Sequence, residues 1–515
     1  MNNGRLLWVD DEIDLLRGHI VFLEKKDYSV QTCTNGSDAL DICRENKFDL
    51  ILLDENMPGM SGLETLQAIK DIQPLVPVVM VTKNEAEDLM DQAIGSQIAD
   101  YLLKPVNPRQ VLLTLKKNIH RDEIRQEAVQ TGYRRAFGEI GMQMGEELSD
   151  EGWTDLYRRL VGWELELDLA DDAMKEMLAM QKAEANKAFA KFVAKNYARW
   201  MADAQTRPMM SHDVFRRAIF PRLTAGRKVF LLVLDNLRYD QWRVLSAELA
   251  AQFDIDESLY FSILPTATQY ARNALLSGLT PLQIRDMYPD LWVDEEEDEG
   301  KNLNEEQLIA RQLERYRRRE TFTYHKINDS QAADRLLSNF APLTRSPLNV
   351  LVINFIDILS HARTESRMVR ELAGGEAAFR SLTLSWFRHT AIRDLFAHLA
   401  GLDYDILITT DHGSIRATNP IRVVGDKTLN TNLRYKAGKN LGYNAKEVFE
   451  MRDPKRCGLP APSLSTAYIF ATGADFFAYP NNYNHYVNYY RNTFQHGGVS
   501  MEEMIVPLVS LHPKP

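Results

Sequence analysis

Three apolar runs from residue 228 onward end in side chains of types that bind metals. Lys228-Val-Phe-Leu-Leu-Val-Leu closes on Asp235. Asn349-Val-Leu-Val-Ile-Asn-Phe-Ile356 is followed by Asp357 and His361, and Asp405-Ile-Leu-Ile-Thr-Thr410 by Asp411 and His412. Runs of this kind read as buried strands with polar tips, and open α/β sheets bind ligands just beyond the carboxyl ends of their strands. One rim would then carry all five side chains, a set suited to two divalent cations. Asp235, Asp411 and His412 could hold one. Asp357, His361 and a later histidine could hold the other. His496 in Phe494-Gln-His-Gly-Gly-Val-Ser500 fits best, because the two glycines after it let backbone pass close to a ligand. Imidazole and carboxylate without thiolate suit Zn²⁺, with Mn²⁺ the main competitor. A nucleophile is offered by Leu264-Pro-Thr-Ala-Thr-Gln-Tyr-Ala-Arg-Asn-Ala-Leu-Leu-Ser-Gly278, where a hydroxyl opens an amphipathic helix whose N-terminus favours an anion. Thr266 and Thr268 both qualify on these grounds.

The N-terminal part carries a second constellation. Leu6–Val9 ends at Asp10 and Asp11, Asp49–Asp54 ends in a carboxylate, Val76–Thr82 in a hydroxyl, and Ala99–Lys104 in an ammonium. Amphipathic segments such as Ile13–Lys26 and Gly62–Ile72 alternate with these strands, which predicts a doubly wound parallel sheet. Asp10, Asp11, Asp54, Thr82 and Lys104 then share one edge. Clustered carboxylates call for a cation, and oxygen ligands favour Mg²⁺. Asp54 is a competent nucleophile for a phosphoryl group, whose oxygens Thr82 and Lys104 can bind.

These sites need elements to hold them, and a chain of 515 residues suggests three or four domains. At 45% hydrophobic and 26% charged it can bury sizeable cores. A net charge of −11 argues against general affinity for nucleic-acid backbones or anionic membranes. Three scattered cysteines form no metal-ligand spacing and fit a reducing compartment. The N-terminus reaches Asp10 and Asp11 before any signal-type core, and no apolar run approaches the ~20 residues of a spanning helix. Cytoplasmic residence without membrane insertion is therefore expected. No proline occurs between Pro108 and Pro208, and the interval reads as three or four helices. Phe189, Val193, Tyr197 and Trp200 form one apolar stripe, and Leu169, Ala173, Met177 and Met180 another. No basic recognition helix is evident, so direct sequence-specific DNA binding is not expected.

Two family resemblances sharpen this reading. Asp10-Asp11, Asp54 in Leu52-Leu-Asp-Glu-Asn-Met-Pro-Gly-Met-Ser-Gly62, Thr82, and Tyr101 ahead of Lys104-Pro105 resemble the receiver domain of two-component response regulators. The resemblance implies phosphorylation of Asp54 by a sensor histidine kinase. It also implies Mg²⁺ held by the acidic pocket of Asp10, Asp11 and Asp54 with the backbone carbonyl of Asn56, and a Thr82/Tyr101/Lys104 switch. The second half resembles the alkaline phosphatase superfamily, its PglZ branch in particular. The superfamily places its nucleophile ten residues before the glycine that closes the helix, and counting back from Gly278 gives Thr268. Related phosphodiesterases carry an Asn three residues after the nucleophile, where this chain has Ala271. Arg272, Asn273 and Asn236 are the candidate substitutes. The order of domains is similar to that of response regulators tied to type IX secretion in Bacteroidetes.

The expected architecture is α/β multidomain: a flavodoxin-like receiver over 1–118, an all-α helical bundle linker over 119–205, and an alkaline-phosphatase-like α/β domain over 206–515. The expected activity is Zn²⁺-dependent hydrolysis of a nucleotide or oligonucleotide phosphodiester through Thr268, with phosphorylation promoting a homodimer through the face near Tyr101. The alternatives are a catalytically silent metal-binding module that binds a sigma factor or secretion component, and a phosphomonoesterase or mutase. The acidic run Asp294–Gly300 reads as a solvated loop, Tyr479–Tyr490 as a surface hairpin, and His485 as a lesser ligand candidate. Asp426-Lys427 and Arg434-Tyr-Lys436 read as surface charge.

Overall fold

Apolar runs buried on both faces form the strands of two sheets in a computed structural model. The structure describes residues 3–74, 76–83, 98–119, 121–294, 302–365, 374–425, 431–463 and 465–514. The chain divides into two compact units, Met1–Gly132 and Tyr133–Pro515.

In the first unit, β1 (Gly4–Val9), β2 (Tyr28–Cys33), β3 (Leu50–Asp54), β4 (Val78–Thr82) and β5 (Asp100–Leu103) form a parallel sheet in the order β2-β1-β3-β4-β5. This is a flavodoxin-like winding. Alternate residues feed opposite cores: Leu7, Val9, Ile51 and Leu53 on one face, Leu6, Trp8, Leu50 and Leu52 on the other. Strand β2, Tyr-Ser-Val-Gln-Thr-Cys, escapes a search for apolar runs because it is an edge strand with only its ends buried. The helix Gly62–Ile72 opens on a capping box between Ser61 and Glu64.

In the second unit, β6 (Val229–Leu234), β7 (Phe253–Phe261), β8 (Phe322–Ile327), β9 (Leu348–Ile353), β10 (Asp405–Thr409) and β11 (Ile505–Pro513) form a mixed sheet in the order β7-β11-β10-β6-β9-β8. Strands β10, β6, β9 and β8 are parallel, and β11 runs antiparallel between β10 and β7. The three strands singled out from sequence are therefore consecutive neighbours. The run expected to continue to Ile356 stops at Ile353, and Phe355–Glu365 is helical. Asp357 and His361 thus lie one turn apart on a helix face.

Three helices, Arg121–Met144, Asp150–Glu166 and Asp172–Ala202, fill the proline-free interval. Ser149 and Asp171 cap the second and third. From Tyr133 onward the segment belongs to the second unit rather than forming a body of its own. The stripe Phe189, Val193, Tyr197 and Trp200 is buried. The other expected stripe is off register: Ala173 and Met180 are exposed, and Met174, Leu178, Gln181 and Ala185 face inward. That face is part polar, so hydrophobicity alone misplaces it. No described helix is long and apolar enough to cross a membrane.

A buried ionic network ties the second and third of these helices to the sheet domain. Arg380 donates to Glu164 (2.8 Å), Asp240 (3.0 Å) and Asp168 (2.5 Å). Lys182 reaches Glu164 at 2.7 Å and Glu502 at 3.1 Å. Arg238 holds Asp240 and Glu376. Removing one partner from such a network strands its counter-charges. Arg380→Met is expected to lower stability by about 3–5 kcal/mol, read as a fall in the urea midpoint with an unchanged slope. An unmoved midpoint would show that the network does not hold the helices.

Candidate functional site

The neighbouring strands β1, β3 and β4 of the first unit deliver Asp10, Asp54 and Thr82 to one edge. Lys104, just past β5, reaches across to Asp54 at 2.8 Å and Asp10 at 2.9 Å. Asp10 and Asp54 are buried and Asp11 is exposed, with oxygens of the three lying within 4.8 Å of one another. The two shifts in the pair are not mirror images, because one ammonium faces two anions. Burial, with Asp10 adding to it, lifts Asp54 above the usual carboxylate range against the pull of Lys104. Burial alone would lower Lys104, but its bonds to Asp54 and Asp10 prevail and raise it. Thr82 donates to Glu55 at 2.5 Å. Asn56 is exposed in the loop after β3 and its N–H donates to Asp54, while Tyr101 is 42% exposed on the outer face of β5. Gly62 lets its helix approach this loop: a Cβ there would sit 2.4 Å from the Asp54 carbonyl oxygen.

In the second unit, Asp235 follows β6 and Asp411-His412 follow β10. Each aspartate pins one oxygen. Asp235 Oδ2 accepts from Arg272 at 2.7 Å, and Asp411 Oδ1 accepts the His412 N–H at 3.0 Å. Their other oxygens, Asp235 Oδ1 and Asp411 Oδ2, are buried without a hydrogen-bond partner. Each lies 3.8 Å from His412 Nε2. His412 Nδ1 lies 3.1 Å from the Gly413 carbonyl. A carbonyl only accepts, so Nδ1 carries a proton, and in the neutral ring Nε2 offers a lone pair. That lone pair faces the Thr268 hydroxyl at 3.1 Å. Thr268 is the first residue of the helix Thr268–Ser277. The other candidate, Thr266, is engaged elsewhere: its hydroxyl donates to the Gly498 carbonyl and accepts the Gly497 N–H.

A second cluster adjoins the first. His496 stacks on His412 with ring centres 4.2 Å apart. Its Nδ1 is held by the Thr266 carbonyl at 3.2 Å, which leaves Nε2 facing Asp357 at 3.6 Å. Burial, aided by His412, lowers the His496 pKa to about 3, so the ring is neutral, as a ligand must be. His361 approaches Asp357 at 3.5 Å and is 61% exposed, which marks the open side. Asn236 sits between the clusters. Its N–H points at Asp411 (3.4 Å) and its side-chain amide at Asp357 (3.3 Å). It adopts φ 63°, a left-handed conformation that Asn tolerates better than most residues. All six ligand candidates and Thr268 are therefore brought together, in two triads. Imidazole nitrogens beside unpartnered buried carboxylate oxygens fit divalent cations.

Other expectations change. Arg272 is buried and spans Asp235 and Glu305, whose carboxylate also accepts from Lys326 at 2.9 Å. Glu305 was not singled out from sequence, since nothing in its neighbourhood marks it. Arg434 is not surface charge but fully buried against Glu503, and Lys436 is buried over the Tyr479 ring. Tyr483–Tyr490 is a helix rather than a hairpin, with His485 exposed on it and outside both triads. Asp426-Lys427 and residues 295–300 of the acidic run lie outside the described residues.

A phosphoacceptor-type carboxylate pocket on a flavodoxin-like sheet, followed by a metal-ligand rim on a mixed α/β sheet, defines a response regulator with an alkaline phosphatase-like effector. Family models bear this out: a response regulator receiver domain over residues 6–116, the PorX response regulator linker domain over 123–201, and the BREX system PglZ alkaline phosphatase-like domain over 214–511. The last spans more than half of the sequence, and the chain belongs to the PglZ alkaline phosphatase-like family, in a PorX-type arrangement. It is 34% identical over 135 residues to the transcriptional regulatory protein ResD of Bacillus subtilis, covering 26% of this chain and 53% of that one. It is 38% identical over 125 residues to the alginate biosynthesis transcriptional regulatory protein AlgB of Pseudomonas putida, covering 24% and 27%. The chain thus spans about half or less of the curated relatives it matches. Similar solved structures include a CheY-like receiver domain protein from Methanospirillum hungatei JF-1, with TM-score 0.22, 28% identity, and 23% of this chain and 95% of that one covered.

A ligand that binds only the folded state stabilises it by mass action, by about 2.7 kcal/mol at a hundred times its dissociation constant. Zn²⁺ or Mn²⁺ is expected to raise the thermal midpoint of the second unit, and the double variant Asp235→Asn/Asp411→Asn to lose most of that rise. A midpoint indifferent to both ions would remove the metal reading.

Proposed function

We propose that this protein is a response regulator, phosphorylated on Asp54 by a sensor histidine kinase, whose effector hydrolyses phosphodiesters through Thr268. The observation that carries the hydrolase half is the Thr268 hydroxyl, 3.1 Å from the His412 Nε2 lone pair and beside the unpartnered oxygens of Asp235 and Asp411. Asp235, Asp411, His412 and Thr268 would hold one Zn²⁺, and Asp357, His361 and His496 a second, with Mn²⁺ the alternative. When bound, such ions lower the pKa of a hydroxyl and neutralise charge on a leaving oxygen.

The chain's own groups do the rest. The Thr268 oxygen attacks phosphorus as its proton passes to solvent water; the P–O bond to the ester oxygen opposite breaks, and that oxygen leaves and takes up a proton from solvent. The free N–H groups at the N-terminus of the helix Thr268–Ser277 favour the anionic phosphoryl group. Of the three candidates for the role vacated at Ala271, Asn236 is the one whose amide faces the space between the triads; Arg272 is committed to Asp235 and Glu305. The exposed side at His361 is the way in for a nucleotide or short oligonucleotide. Water then attacks the phosphothreonine at phosphorus, breaks its bond to the Thr268 oxygen, and leaves a phosphate monoester and a reprotonated Thr268 hydroxyl. In the first unit, Asp10, Asp11, Asp54 and the Asn56 carbonyl would hold Mg²⁺, which neutralises phosphoryl charge when bound; Asp54 takes the phosphoryl group, Lys104 pairs with it, and Thr82 and Tyr101 respond. The output inferred is control of type IX secretion, a reading that the PorX-type domain order supports. The second reading, a silent metal-binding module that docks a sigma factor or secretion component, is favoured by one observation, Ala271.

Zn²⁺-loaded protein is expected to hydrolyse bis-p-nitrophenyl phosphate, and Thr268→Val to lose at least about a hundredfold in kcat. Equal rates in the two would remove Thr268 from the mechanism, and no turnover in either would favour the docking module. Acetyl phosphate with Mg²⁺ is expected to double the scattering mass of the wild type and leave Asp54→Asn a monomer; a mass unchanged in both would count against dimer control.

A further inference from the structure

We propose that the long linker helix Asp172–Ala202 is a working part of the phosphoesterase site, with Asn186 and Tyr197 as positioning residues for the loops that carry His412, His496 and Thr268. This rests on the hydrolase reading above and extends it to residues outside the ligand set.

Asn186 is buried and uses both ends of its amide. Its Oδ1 accepts the Met501 N–H at 2.8 Å, and its Nδ2 donates to Glu502 at 2.9 Å. Lys182, one turn back, holds the other Glu502 oxygen at 3.1 Å. The next residue, Glu503, fixes both stacked histidines from the chain side. Its carbonyl accepts the Gly413 N–H at 3.1 Å, directly after His412. Its carboxylate accepts the Gly498 N–H at 2.8 Å, just beyond His496. There is no slack between these backbones: a Cβ on Gly413 would lie 2.1 Å from the Glu502 carbonyl oxygen. A shift of Glu502 and Glu503 must therefore move the His412 loop.

About 16 Å further along the same helix, at 1.5 Å per residue, Tyr197 accepts the Leu264 N–H at 2.7 Å. Leu264 opens the segment whose Thr266 carbonyl holds His496 Nδ1 and whose Thr268 bears the hydroxyl. On the same helix, Phe189 and Trp200 pack on Phe261. The following residue, Ser262, donates to the Asp411 carbonyl at 2.6 Å. One rigid helix thus grips the metal-ligand loop and the nucleophile loop together. Its other contacts include Gln181, which bonds Tyr133 and the Phe137 carbonyl on the helix Arg121–Met144.

Groups that orient metal ligands typically change metal affinity or activity by 10- to 100-fold when removed. The test uses the full-length protein with Asn186→Leu, Tyr197→Phe, and Glu184→Gln as an exposed control on the same helix. Zn²⁺ affinity is read by competition with a chromogenic chelator, kcat and KM on bis-p-nitrophenyl phosphate, and folding by the metal-free thermal midpoint. The expected result is about tenfold weaker Zn²⁺ binding for Asn186→Leu. For Tyr197→Phe it is about tenfold lower kcat with KM within about twofold, and the control matches wild type. Folded variants with wild-type affinity and kcat would overturn the proposal. Should Asn186→Leu fail to fold, Tyr197→Phe, which keeps the ring, decides through its Zn²⁺ affinity and kcat. A wild type that binds Zn²⁺ without hydrolysing the ester sinks the hydrolase reading alone, because the affinity arm still decides this one. A wild type that binds no Zn²⁺ overturns both.

Discussion

Burying anions side by side is the constraint on which the second unit is built. An ionised carboxylate out of water costs several kcal/mol unless it is paired, and Asp235 and Asp411 are both sealed from solvent. Burial, with Asp411 alongside, pushes Asp235 above the usual carboxylate range while Arg272 pulls it back. The structure meets this with a single fixed cation, since Arg272 lies 2.7 Å from Asp235 and 3.7 Å from Asp411. Glu305 in turn orients Arg272, and Lys326 neutralises Glu305. Asp235 gives one oxygen to Arg272, and Asp411 gives one to the His412 N–H. The remaining oxygen of each faces His412 Nε2, an arrangement that suits a shared cation.

The positions of these charges follow from strand order. Because β10, β6 and β9 are neighbours in parallel register, with Thr409 opposite Val233 and Leu234 opposite Ile353, their ends fall at one level. That much was legible in the sequence, since fully apolar runs closed by Asp or Asp-His allow little else. The receiver was legible for the same reason: its strands Leu6–Val9 and Leu50–Asp54 are apolar throughout and end in the residues that do chemistry. The choice between Thr266 and Thr268 was not legible from helix position alone, as both precede the same helix. Only the fold shows that the Thr266 hydroxyl is spent on the His496 loop.

What stayed hidden has a common cause. Glu305, Arg434 and Arg380 look like surface residues in a sequence because charged side chains are rarely buried. Each is buried here because its counter-charge lies far away in the chain, as Glu164 does from Arg380 and Glu503 from Arg434. Pairing over such separations leaves no periodic trace. The misplaced stripe of the third linker helix has the same origin: Gln181, Lys182 and Asn186 line its inner face for bonding rather than for hydrophobicity.

The two units meet the problem of holding an anion in related ways. The first sets one cation, Lys104, against two carboxylates. The second sets another, Arg272, behind two carboxylates and stacks two imidazoles in front. Each leaves one ligand candidate toward solvent, Asp11 in one case and His361 in the other. The net charge of −11 does not forbid phosphate recognition by either. Exposed charges are screened beyond about 8 Å at physiological ionic strength, whereas the groups at both edges act within hydrogen-bonding reach and largely out of water. Attraction for a phosphoryl group is thus set locally, by the few charges each sheet edge gathers, and a bound divalent cation outweighs the acidic surface around it.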